Sequence, residues 1–99
     1  MNFYTHMLIG EAITGEYVNQ LVNRMQDHVR STPELIGHSI LAEEGGRMVV
    51  LVTDWPSRQE CLQYHSSRAY RQFDMDTQYM LAGNYVVKIF QNKTEGSVL

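Results

Sequence analysis

The side chains best equipped for acid–base or redox chemistry in this 99-residue sequence are four histidines, one cysteine, one tryptophan and six tyrosines. His65 follows Tyr64 in a run whose helical spacing sets it in register with Cys61 and Leu62 and one turn before Ala69, so it faces inward or nearly so. A neutral imidazole there can take a proton from a phenol or an enolisable carbon near neutral pH. The resulting phenolate or carbanion is the species that can pass an electron to dioxygen. The structural alternative is a hydrogen-bonded histidine that ties the helix to the break at Ser66-Ser67. Trp55 either walls a pocket, stacking on an aromatic substrate and offering its indole N–H to an oxyanion, or simply packs between a strand end and a helix start. Tyr64, Tyr70 and Phe73 add aromatic surface around the same helix, which suits a slot for a flat molecule and equally suits a core.

The remaining candidates are weaker. His6 and His38 fall on strands and His28 on a helix, and strand register decides whether they meet a pocket or another face. There is no His-x-His or His-x-x-x-His pair, and Cys61 has no second cysteine. No metal site, no cofactor and no intrachain disulfide are therefore expected, and Cys61 reads as a small buried hydrophobe. Glu43-Glu44 reads as a solvated turn.

The elements that position these residues follow from periodicity. Phe3 to Ala12 is rich in β-formers and reads as a first strand. Thr14 is a candidate N-cap with Glu16 in the first turn, and Val18, Leu21, Val22, Met25 and Val29 form one helical stripe that ends before Pro33. Leu35 to Glu43 and Arg47 to Asp54 read as two strands joined at Gly45-Gly46, a pair suited to a type I′ turn with φ > 0 at both positions. Ser57-Arg58-Gln59-Glu60 is a capping box that opens a second helix near Arg58. Ser66-Ser67 is a break or second cap, after which helical spacing resumes through Ala69, Tyr70 and Phe73 to about Met80. Tyr85 to Gln91 alternates as a fourth strand, and residues 93–99 read as a frayed tail beyond a single domain spanning 1–92.

The order β, α, β, β, α, β predicts an α+β, ferredoxin-like βαββαβ fold: an antiparallel four-stranded sheet with two helices on one face. Met48 to Val52 is apolar at consecutive positions, so both faces of that strand call for burial, yet two helices cover only one. A second copy of the sheet supplies the other cover, which predicts a homodimer of the dimeric α/β barrel kind. A monomer with one wetter face is the alternative.

Composition narrows the partners. Hydrophobic residues make up 43% of the chain and charged residues 19%, with a net charge of -3, which leaves no basic surface for nucleic acid. The central strand Met48 to Val52 carries no aromatics on which bases could stack, and it is far too short to cross a bilayer. With no basic stretch leading into a long apolar run at the N-terminus, a cytoplasmic location is expected.

Three segments together resemble the antibiotic biosynthesis monooxygenase family: Ser31-Thr32-Pro33-Glu34-Leu35-Ile36-Gly37, Val49-Val50-Leu51-Val52-Thr53-Asp54-Trp55, and Tyr64-His65-Ser66-Ser67-Arg68-Ala69-Tyr70-Arg71-Gln72-Phe73. The resemblance runs from the first strand to the fourth. It implies a dimeric α+β barrel with a substrate pocket between helices and sheet, and an activity that oxidises polycyclic phenols to quinones with dioxygen alone. Trp55 matches the Trp that ends the third strand in quinone-forming members. Those members carry an Asn four residues earlier, where this chain has Leu51, so Leu51 is expected against the substrate in place of a polar group. Haem-degrading relatives use a Trp and a His at second-helix positions that fall here on Tyr64 and Asp74, so haem degradation is not expected.

The expected function is therefore that of a cofactor-independent monooxygenase acting on a small aromatic or enolisable molecule. His65 would be the general base, Trp55 a catalytic pocket wall, and Tyr64, Tyr70, Phe73 and Leu51 the substrate contacts. The rivals are a non-catalytic dimer that binds a small ligand or serves assembly, and a keto-compound isomerase in which His65 moves protons and oxygen takes no part.

Overall fold

Strand β1 (Tyr4–Glu11) runs through the middle of the sheet and organises everything else. The computed structural model describes residues 3–93, so most of the expected 93–99 tail lies outside the described residues. Helix α1 (Glu16–Arg30) follows β1, then β2 (Gly37–Ala42), β3 (Met48–Trp55), α2 (Arg58–His65), α3 (Arg68–Thr77), a 3₁₀ turn (Gln78–Met80) and β4 (Val86–Gln91). The strand order is β2-β3-β1-β4 and every pairing is antiparallel. This is the expected ferredoxin-like sheet.

Register assigns the two faces. His6 lies opposite Thr53 and Leu8 opposite Leu51, so His6, Leu8, Val49, Leu51, Thr53 and Trp55 share the buried face. From α1, Leu21, Met25, His28 and Val29 pack onto it, joined by Cys61 and Tyr64 of α2 and Tyr70 and Phe73 of α3. Leu8, Leu21, Met25 and Leu51 are buried to within about 1% of their surface, each worth roughly 1.5–3 kcal/mol in area removed from water. The opposite face carries no helix among the described residues. Leu41, Val86 and Phe90 are about half exposed there, flanking Met7, Ile9, Val50 and Val52 on the central strands.

Ser66-Ser67 breaks the second helical stretch, as its sequence suggests, and the Ser67 hydroxyl accepts the Tyr70 N–H to cap α3. Several other local expectations need correction. Three helices and a 3₁₀ turn cover the sheet rather than two helices. Thr14 is not the cap of α1; Gly15 is, without a side-chain bond, and the Thr14 carbonyl accepts the Tyr17 N–H instead. The hairpin is longer than a two-residue turn. Gly46 N–H donates to the Glu43 carbonyl and only Gly45 has positive φ, which excludes type I′. β2 starts at Gly37 rather than Leu35, because the chain first turns through Glu34, a non-glycine residue at φ 79°. No helix among the described residues is long and apolar enough to cross a membrane.

Candidate functional site

Tyr64 is the hub of the helix-covered side. The cap at Ser57, whose hydroxyl accepts the Glu60 N–H, sets the phase of α2 and turns Cys61 and Tyr64 toward the sheet. Tyr64 stacks on Trp55 with ring centroids 4.7 Å apart and an interplanar angle of 26°. Its hydroxyl shares a 2.8 Å hydrogen bond with His28 Nε2. The Trp55 indole N–H donates to Thr53 Oγ1 at 3.0 Å, so within the fold that donor is already in use. His28 in turn stacks on Phe73 at 4.5 Å.

A second cluster adjoins it. His6 Nε2 and His65 Nδ1 lie 3.0 Å apart in a hydrogen bond, and the His6 ring meets Tyr64 and Tyr70 edge-on. Tyr70 also lies against His65, at 5.2 Å between ring centroids. Burial, reinforced by the neighbouring imidazoles of His65 and His28, pulls His6 down to a pKa of about 4. Burial also lowers His28 and raises the Cys61 thiol. Tyr64 and Tyr70 are both raised, first by burial, and both rings therefore stay protonated. At neutral pH His6 and His28 are thus uncharged imidazoles, and Tyr64 and Tyr70 protonated phenols.

One cleft of about 230 Å³ opens beside this aromatic centre. Residues 31–34, which follow α1, line one part of it, with Trp55 at the end of β3 and Glu60, Gln63 and Tyr64 of α2. Trp55 and Tyr64 are only 2% and 5% exposed, so only a small part of each ring reaches the space. One oxygen of Glu60, Oε2, is buried and has no hydrogen-bond partner among the described residues.

The structure therefore brings Trp55 and Tyr64 together at the cleft and sets the other expected residues elsewhere. His65 is bonded to His6 and is not among the cleft residues; Tyr70 sits beside that pair, and Leu51 is inside the core. Phe73 lines a second, shallower groove between α1 and α3, together with His28. Of the histidines left open by the sequence, His6 is on the buried face and His38 is exposed at the β2 edge. Sequence reasoning missed the His6–His65 and His28–Tyr64 pairs, which join residues 59 and 36 positions apart. It also read Glu60 only as a capping partner. No group of three metal-ligating side chains comes together among the described residues.

Comparison with solved structures places this architecture. A monooxygenase from Streptomyces coelicolor, solved with the ligand nanaomycin D, matches with a TM-score of 0.71 over 97% of this chain and 90% of its own, at 16% identity. The fold is that of the antibiotic biosynthesis monooxygenases. Rv0793 from Mycobacterium tuberculosis matches at TM-score 0.77 and 13% identity, over 96% of this chain and 99% of its own. A dimeric ferredoxin-like protein of unknown function from Thermobifida fusca matches at TM-score 0.69 and 19% identity, over 90% of each chain. No protein-family model matches the sequence, and no curated protein matches it. The likeness is one of fold, and the chemistry has to be argued from the site.

Proposed function

We propose that this protein is a monooxygenase for a small planar aromatic or enolisable molecule, with dioxygen as the oxidant. The observation that carries the reading is the stacked Trp55–Tyr64 wall of the cleft, held in place by Thr53 on the indole and His28 on the phenol. A wall whose two polar atoms are already bonded offers a substrate chiefly apolar aromatic surface, against which a flat ring can pack. The presence of a monooxygenase with a bound ligand among the structural neighbours supports the same reading.

His65 is the proposed proton acceptor. In the tautomer that makes it a base, His65 Nδ1–H donates to His6 Nε2, and the lone pair of His65 Nε2 is left to take a proton. His6, with its pKa of about 4, stays neutral and keeps the lone pair that receives this bond. For a phenol the reaction balances as phenol plus O₂ giving quinone plus water. The O–H proton leaves to the base, the phenolate passes an electron to O₂, and a C–O bond forms at the para carbon. The proton on that carbon is lost as the O–O bond breaks. Because His65 lies off the cleft wall, the substrate must extend past Tyr64 to reach it.

An oxygen electrode tests this with polycyclic phenols. Oxygen uptake matched one to one by quinone is expected, with Trp55→Phe raising KM and His65→Ala lowering kcat by at least tenfold. Turnover that continues unchanged under nitrogen would replace oxidation by isomerisation. A second reading, ligand binding without oxidation, draws on Leu51 being sealed in the core and on the indole N–H being bonded to Thr53, since neither then offers a polar contact to an oxyanion. It expects a phenol to raise Tm while no oxygen is consumed.

We also infer that the protein works as a homodimer through the uncovered sheet face. Leu41, Val86 and Phe90 expose apolar surface around half-buried Val50 and Val52, and a two-fold copy of the same face is its simplest complement.

A further inference from the structure

The polar chemistry of the cleft is one-sided. Its titratable lining residues are Glu34 and Glu60, together with the Tyr64 phenol, and no lysine, arginine or histidine lines it. Buried polar atoms in folded proteins almost always have a partner, and one without a partner marks a place where something else supplies it. Glu60 Oε2 is such an atom: it is buried, it is unpartnered among the described residues, and its side chain is part of the cleft wall.

The local sequence had another use for this carboxylate. In a Ser-x-x-Glu capping box the Glu side chain returns to the N–H of the capping Ser. Half of that box is present, since the Glu60 N–H donates to Ser57 Oγ at 3.2 Å. Oε2 makes no such return, so the residue caps through its backbone while this oxygen is withheld from the helix. A carboxylate oxygen can only accept. Its complement is an O–H or N–H donor, and the rings of Trp55 and Tyr64 line the same cleft.

We propose that Glu60 is the specificity residue of the cleft, and that the ligand is a planar aromatic molecule, neutral or cationic, whose O–H or N–H group donates to Glu60 Oε2. Anionic aromatics are excluded by the same group. Bringing a ligand carboxylate or phosphate against Glu60 and Glu34, with no cation in the wall, costs like-charge repulsion on top of desolvation. This rests on the reading that the cleft takes a small flat molecule and is independent of whether that molecule is oxidised.

Calorimetric titration of the full chain with three naphthalenes of one shape tests it: 2-naphthol, which donates; 2-methoxynaphthalene, which does not; and 2-naphthoate, which is anionic. The wild type is expected to bind 2-naphthol at least tenfold more tightly than either of the others. Glu60→Leu should bring 2-naphthol and 2-methoxynaphthalene within about twofold of each other, whereas Glu60→Gln, which keeps an acceptor oxygen but no charge, should retain part of the preference for 2-naphthol over 2-methoxynaphthalene and lose discrimination against 2-naphthoate. Equal binding of all three by the wild type overturns the role of Glu60 and leaves the cleft as an apolar binding site. An unchanged preference in a folded Glu60→Leu variant does the same. Binding of none of the three overturns both the role of Glu60 and the reading of the cleft as a site for flat molecules. Should Glu60→Leu fail to fold, the wild-type ratio alone decides.

Discussion

His6 is almost fully enclosed, bonded to one imidazole and close to another, and its preference for the neutral form ties the fold to pH. An unfolded histidine takes up its proton near pH 6.5, whereas the folded chain refuses it until about pH 4. Between those values the unfolded state binds more protons, so stability is complete above pH 6.5 and is lost as pH falls toward 4. The gap corresponds to about 3 kcal/mol for this one group. His28 moves in the same direction. Melting temperatures at pH 7.5, 6, 5 and 4.5 should fall steadily, and His6→Gln should flatten the slope; a wild-type profile level across that range would contradict the assignment. The Tyr64 hydroxyl gives a second test. Tyr64→Phe leaves His28 Nε2 buried without its partner, at a cost of about 1–3 kcal/mol measured by denaturant unfolding.

At the scale of elements, β4 is fastened to β1 by an approach only glycine permits. A Cβ on Gly10 would lie 2.7 Å from Cε1 of Tyr85 and 3.0 Å from Leu81 Cδ2. The Tyr85 hydroxyl is itself anchored at 2.6 Å to Thr77 Oγ1, and its ring stacks with Phe73. Gly to Ala within a strand ordinarily adds stability; here Gly10→Ala should remove about 1–3 kcal/mol. In a Tyr85→Leu background the loss should shrink, and additive losses in that cycle would refute the contact. Elements of this kind were largely legible in the sequence. The 3.6 spacing from Val18 to Val29 and the paired Ser66-Ser67 mark α1 and the start of α3, because hydrophobic period and serine caps are local signals. The site was legible only in part. Trp55 and Tyr64 stand near α2 in sequence and meet in space, but register is a long-range property, and only register sets His6 beneath His65. The withheld oxygen of Glu60 is less visible still, since the same Ser-x-x-Glu letters describe a box that closes and one that does not.

Among the described residues, one face of the sheet is covered by helices and the other is left open. If a second copy completes it, sedimentation at micromolar concentration should give the mass of two chains, and Tm should rise with protein concentration. Charging the exposed face at both edges, with Leu41→Arg and Phe90→Arg, should yield a single-chain mass and remove the concentration dependence. A wild type that sediments as one chain at these concentrations would refute the dimer. The cleft provides a control, because it lies on the helix side of the sheet and its residues are not on the face that would be charged. Ligand affinity measured in both proteins reports whether dimerisation and binding are coupled.

The strand order also dictates a timetable. Tyr4 pairs with Trp55 on one side and with Gln91 on the other, so this domain's first strand is bracketed by strands made much later. Until those arrive, β1 presents two bare edges and an apolar face to its surroundings, with no local hairpin to shelter it. Unpaired strand edges of this kind are prone to association, so codons that slow translation before β4 should lower soluble yield without altering the finished protein.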